Sequence, residues 1–276
     1  MEQPPGEARM VTLVPGADLM TLVLAIALGA ARATPVVWLV APLGGPRLPA
    51  TVRVGFALLL AALAAPILMA SAAAAGIAEA GVLRLALLFA REVVVGLCLG
   101  LVAAAAFRAA EIAGRLADTL RGANIAEVLV PTADERSSPL GALYVLLATV
   151  VFFQIGGVPR LVDALLRSYQ ALPIGGVLGG GAAHRAAAIV TIASVKLIAS
   201  GLALAAPVIV ALWLTDLALG LIARAAPQVP VYFIGLPLKG LLAIGVVLVG
   251  LGALEAALAG DFGWWLRLFE RTSAAF

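Results

Sequence analysis

Long apolar runs alternate with short Gly/Pro breaks along this chain, and the alternation sets the expected elements. Residues 54–78, 137–159 and 197–215 carry no charge at all. A helix rises about 1.5 Å per residue, so about 20 apolar residues cross a hydrocarbon core. Seven such runs predict an all-α integral membrane protein of six to seven apolar helices, several of them Pro/Gly-broken hairpins. The first helix is expected over residues 19–40, ended by Pro42-Leu43-Gly44-Gly45-Pro46. The second is expected over 54–77, kinked at Pro66. Residues 83–120 read as one long helix or a broken one, and 121–138 as a polar connecting loop. Ser138-Pro139 has the form of an N-cap followed by Pro at the first helical position, and that helix should run to Gly156-Gly157. A short amphipathic helix follows over 161–171, then a Gly-rich loop to about residue 182. Residues 186–223 form another long run with a break expected at Pro207. Pro227, Pro230 and Pro237 interrupt the next stretch, and a final helix is expected over 238–258. The domain reading is a polar segment 1–18, one helical membrane domain 19–259 and a tail 260–276. The tail's Trp264-Trp265 suits an interfacial belt.

Composition sharpens this picture. The chain has 276 residues, 63% hydrophobic and only 12% charged, with a mean hydropathy of +1.13. Soluble domains rarely combine these values. The net charge of +3 is scattered and gives no nucleic-acid footprint. Cys98 is the only cysteine, which rules out an internal disulfide, and it lies in an apolar run where a small buried thiol is expected. His184 is the only histidine and follows Gly179-Gly180-Gly181, as a solvated loop residue would. The first apolar run continues past Arg32 into a second, so it reads as a retained helix and not a cleaved signal. Arg47 and Arg53 make one connection positive, and Arg160, Arg167 and Arg185 another. Simple alternation puts these on opposite sides, so charge bias gives no orientation.

Four groups of residues could carry function. Arg91-Glu92 lies between apolar runs. A charge at membrane depth costs about 2.5–3.5 kcal/mol or more and must face protein or water, and adjacent helical residues need separate partners. Either the pair sits at a helix end in the interface, or it is buried with partners. Gly96 and Gly100 share a helix face and permit close approach of a neighbour. Arg108, Glu111, Arg115 and Asp118 are spaced by three or four, giving a face of alternating sign. Asp216, Arg224, Lys239 and Glu255 stand isolated in apolar surroundings, where ion pathways and buried interhelical pairs are both open readings. No metal-ligand cluster, GxSxG, P-loop or His-containing triad is present in the sequence, so neither an enzyme nor a cofactor is expected.

Several stretches, whose order along the chain also matches, resemble the type III secretion export-gate family called SctT or YscT in injectisomes and FliR in flagella. The strongest is Ala218-Leu219-Gly220-Leu221-Ile222-Ala223-Arg224-Ala225-Ala226-Pro227-Gln228 with Ile234-Gly235-Leu236-Pro237-Leu238-Lys239. Arg91-Glu92-Val93-Val94-Val95-Gly96 with Gly100 is similar to a second element. Gly114 to Asp118, Arg121-Gly122, Pro131 and Ser138-Pro139-Leu140-Gly141 match the central one. Gly156-Gly157 and Ser168-Tyr169-Gln170-Ala171-Leu172-Pro173-Ile174-Gly175 complete the set. The family often has Asp before the central proline, where this chain has Val130. The Gly run 179–181 and residues 133–137 match nothing in it.

The resemblance implies a multi-pass subunit of the bacterial inner membrane, within the secretion basal body. It would form part of the entry pore for unfolded substrates. The implied partners are the SctR-, SctS-, SctU- and SctV-like membrane proteins, the inner rod or needle, and substrates in transit. It also implies a pore plug in the loop after the Arg91 helix, here Arg121, Gly122, Asn124, Ile125, Val128, Leu129 and Pro131. The residues themselves fit a plug or a buried turn, since Ile125, Val128 and Leu129 are apolar and must pack. Arg91, Glu92, Gly96, Gly100, Asp216, Gly220, Arg224, Pro227, Gln228, Pro237 and Lys239 would serve helix packing and assembly. A small-solute secondary transporter or channel is the alternative, with Asp216, Lys239 and the broken 227–237 segment as the transporter's site. No repeated half supports it.

Overall fold

The computed structural model describes residues 19–44, 48–123, 138–176 and 181–275, and among these the chain is helical with no strand. Helices are what an apolar chain must form in lipid, because nothing there bonds to an open backbone N–H or C=O. The elements are α1 (Leu19–Leu39), a short α2 (Ala41–Gly44), α3 (Ala50–Leu63), α4 (Ala65–Ala74), α5 (Val82–Leu120), α6 (Pro139–Gln154), α7 (Gly157–Ala171), α8 (Ala182–Ala225), α9 (Val231–Val249) and α10 (Leu251–Ala275). Among the described residues, four helices are long and apolar enough to cross a membrane by themselves: α1, α5, α8 and α9. The pair α3–α4 is bent by 69° and the pair α6–α7 by 74°, and counting each as one span gives six. The six to seven read from the sequence is thus met at its lower end.

Prolines divide the sequence reading. Pro66 stands at the start of α4, where the sharp bend with α3 lies. Pro207 and Pro237 break nothing: α8 runs 44 residues through Pro207, and α9 passes through Pro237. Membrane helices tolerate Pro because the freed carbonyl finds other partners. The break instead falls at Gly250, and the last helix begins at Leu251 and runs to Ala275, well past the expected end at 258. His184 is exposed, but lies in the first turn of α8 and not in a loop.

At 39 residues α5 is continuous, about 58 Å long, nearly twice a hydrocarbon core of about 30 Å. It is the central post: α1, α6, α8 and α10 all pack on it. Its buried side is mostly small, with Ala105, Ala106, Ala109, Ala110, Ala113 and Ala117 in the core, so neighbouring backbones come close. Phe107, Phe152 and Phe262 join α5, α6 and α10, with ring centroids 5.0–5.4 Å apart. The chain turns from α6 into α7 at Gly156, whose φ of +69° suits glycine alone. That turn aims the end of α7 back at α1.

Candidate functional site

The deepest polar feature sits where α1, α5 and α7 meet. Gly96 lies at the α1–α5 crossing, where an added Cβ would stand 2.3 Å from the Arg32 carbonyl oxygen. At Gly100 the Pro35 carbonyl oxygen would be at 2.9 Å. Only backbone fits in these gaps, and the close approach brings Arg32 of α1 against Glu92 of α5. Arg32 Nε donates to Glu92 Oε2 at 2.6 Å, and both side chains are 0% exposed. The other edge of the guanidinium reaches α7. Nη1 donates to the Ser168 carbonyl at 2.8 Å and Nη2 to the Leu172 carbonyl at 2.9 Å. Those carbonyls belong to the end of α7: the Ser168 carbonyl also accepts from the Leu172 N–H at 3.0 Å, Leu172 is the C-cap residue, and a cation there complements the helix dipole. The guanidinium carbon lies 4.6 Å from the centre of the Tyr169 ring. Tyr169 Oη donates to the Gly29 carbonyl at 2.8 Å, back on α1. One arginine thus closes a circuit through three helices. The buried pair is neutral as a unit and presents no nucleophile. Its chemistry is that of a lock.

A second node holds the far end of α5. Asp118 is buried and accepts from Arg121 Nε at 2.6 Å, from Ser138 Oγ at 2.5 Å and from the Leu140 backbone N–H at 3.0 Å. Ser138 Oγ in turn accepts from the Gly141 N–H at 3.0 Å, which makes Ser138 the N-cap of α6. Gly114 supplies the close approach, for its Cβ would meet the Gly141 nitrogen at 2.4 Å. Asp118 therefore does not belong to the charged face expected for it. That face consists of Glu111 alone between Arg108 at 2.8 Å and Arg115 at 2.6 Å, all well exposed on the arginine side. Asp118 shares its side of the helix with Gly114, four residues earlier, so it turns to α6.

The α8–α9 hairpin is built differently. Asp216 of α8 pairs with Lys239 of α9, and the Asp216 side chain is 50% exposed. Around them Leu217, Leu221, Tyr232, Phe233, Ile234 and Leu241 are all exposed. An apolar cleft of about 810 Å³ separates α8 from α9 and α10, lined by Leu204, Pro207, Leu241, Val246 and Leu254 among others, with Tyr144 contributed by α6. Deeper in, Lys196 of α8 binds Asp261 of α10 at 2.8 Å beside the Trp264 ring.

The sequence family described as bacterial export proteins, family 1, matches residues 23–263. The chain belongs to this family. It is similar to the secretion system apparatus protein SsaT of Salmonella typhimurium, 34% identical over 158 residues, covering 57% of this chain and 60% of the relative. It is 33% identical over 172 residues to the Yop proteins translocation protein T of Yersinia pestis, covering 60% and 63%. It is 32% identical over 149 residues to the flagellar biosynthetic protein FliR of Bacillus subtilis, covering 54% and 58%. The matches span about three fifths of these relatives' length.

Within this family member the remaining motif residues are scattered and not gathered into one site. Glu92, Gly96 and Gly100 converge on α1, while Arg91 beside them points elsewhere and bonds no one among the described residues. Gly220 has open space where a side chain would go. Arg224 is exposed at the end of α8, Pro227 and Gln228 form the exposed turn into α9, and Pro237 is exposed within α9. Glu255 is exposed on α10. Of the plug segment, Arg121 and Gly122 are described: Arg121 is tied to Asp118, and Gly122 takes a φ of +82° after α5. Asn124, Ile125, Val128, Leu129 and Pro131 lie outside the described residues. The sequence reading missed Arg32, Tyr169 and the Asp118–Ser138 link. Arg32 had one usable signal, since a lone charge in an apolar run demands a partner. That partner stands 60 positions away.

Proposed function

We propose that this chain is a subunit of a type III secretion export gate, contributing part of the entry pore for unfolded protein substrates across the bacterial inner membrane. The observation that carries the reading is the α8–α9 hairpin. A half-exposed ion pair set among exposed Leu, Ile, Tyr and Phe side chains suits neither water nor lipid. It suits a surface covered by other membrane subunits. Membership in the export-protein family and the relatives' roles in secretion, translocation and flagellar biosynthesis support the same reading. The partners are then the SctR-, SctS-, SctU- and SctV-like subunits, the surrounding basal body, and the rod or needle beyond. Catalysis has no part in it. The buried Arg32 and Asp118 nodes hold the shape of a conduit wall.

A solute transporter fits less well. Its expected midplane groups, Asp216 and Lys239, satisfy each other, and the large cleft is lined by apolar side chains except for Tyr144. The test is purification of the tagged chain from its own membranes in mild detergent. An export-gate subunit arrives in fixed ratio with SctR- and SctS-like proteins, and its removal stops secretion. A chain that purifies alone and binds a small solute overturns the reading.

A further inference from the structure

Among the described residues, Arg91 is the cation at the edge of the buried region that the fold leaves without a partner. Its Nε and Nη2 atoms are buried without a hydrogen-bond partner among the described residues. Together they form the side-on edge of the guanidinium, the edge that takes a carboxylate through two parallel N–H bonds. Glu92 cannot serve it. Adjacent helical side chains diverge; Glu92 Oε2 is held by Arg32, and its buried Oε1 bonds no described residue, Arg91 included. Along the Arg91 side of α5, the residues one turn away on either side are outward-facing: Leu87 is 64% exposed and Val94 58%. Arg91 is therefore a half-buried charge within an otherwise apolar stripe of the central helix, two turns in from Arg84. Its side chain bonds no described residue, so turning the buried side-on edge outward would break no hydrogen bond or ion pair among them.

We propose that this stripe is a docking surface for a membrane helix of another subunit, and that the docked helix carries one carboxylate that pairs side-on with Arg91. A lipid phosphate is the competing anion, and position argues against it. Arg84, exposed and bonded to the Ala75 carbonyl at 2.9 Å, marks the interfacial end of α5. Arg91 lies seven residues further in, about 10 Å along the axis, and from there to Arg108 Glu92 is the only other charge. At that depth the surroundings are hydrocarbon or protein, and only protein supplies an anion. This inference rests on the chain being one subunit of a membrane assembly.

A photo-crosslinking residue at Leu87 or Val94, in the assembled complex within native membranes, tests it. The expected product is an adduct with one protein helix bearing an Asp or Glu within a turn of the linked position. Arg91→Glu should then lower the yield of assembled complex by at least about tenfold, Arg91→Lys should keep most of it, and placing Arg at the partner carboxylate should rescue Arg91→Glu. Adducts with lipid alone, no protein adduct, or an Arg91→Leu complex at wild-type yield overturn the proposal. The crosslink decides even where a substitution prevents folding. Should the wild-type chain bring no partners at all, the export-gate reading fails. Should it bring partners that do not touch Leu87 or Val94, only the Arg91 contact fails.

Discussion

The junction of α1, α5 and α7 and the α8–α9 hairpin use the same ingredients to opposite ends. Each has one acid–base pair, glycines and a wall of apolar side chains. At the junction the pair is sealed at 0% exposure, the guanidinium is fully bonded, and the glycines are closed against backbone. In the hairpin the pair is half in the open, Gly220 faces empty space, and the leucines point outward. The first region is a packed core, with Glu92 Oε1 left without a partner among the described residues. The second has the composition of a core and lacks the other half of one. On the proposed reading, the contrast separates what this chain provides for itself from what neighbouring subunits would supply.

The largest break should come at Arg32. Arg32→Leu leaves the Glu92 carboxylate buried and unpaired, and a broken buried pair costs about 3–5 kcal/mol. The folded chain should barely accumulate in membranes, as read by fluorescence-detected size exclusion. Adding Glu92→Gln should recover part of the loss, because the buried charge is gone. Equal damage from the single and double variants would remove the pair from the account. Next come the glycines. Gly96→Ala and Gly114→Ala each force a methyl against backbone and should cost about 1–3 kcal/mol of thermal stability in detergent. Gly100→Leu should act likewise and lower complex yield. Gly220→Leu sharpens the comparison: the isolated chain should keep its melting temperature while the assembled complex is lost.

Asp118→Asn should be milder than Arg32→Leu. It weakens the bonds from Ser138, Leu140 and Arg121 without emptying the site, at about 1–3 kcal/mol. The smallest effect belongs to the solvated ladder. Reversing Glu111 and Arg115 together should change stability by no more than about 0.5 kcal/mol, since exposed i,i+4 pairs contribute little. A large loss there would mean that this face is buried by a partner.

The sequence made the helices legible because their apolar runs are long and their starts are chemically marked, Ser138-Pro139 most clearly. It misplaced breaks at Pro207 and Pro237 because proline's cost is set by what surrounds the helix, which no single segment records. Among the site residues, Gly96 and Gly100 announced a close approach through their spacing, yet not the helix that fills it. Arg32 stayed hidden because its hydrogen-bond partners Glu92, Ser168 and Leu172 come from two distant helices. Asp118 was misassigned to a surface ladder by local spacing alone. Its bond to the N-terminus of α6 depends on Gly114 four residues before it, which lets that helix in.

The claim that the α8–α9 hairpin is completed by other subunits has one direct measurement. Spin labels placed singly at Leu221 and Leu241, in a Cys98→Ser background, report mobility and oxygen accessibility. With the chain alone in lipid, both sites should be mobile and highly accessible to oxygen. In the purified assembly both should become immobile and shielded, while a label on the solvated face at Glu111 stays unchanged. Identical spectra at Leu221 and Leu241 in the two states would show that the hairpin faces lipid throughout, and would contradict the account.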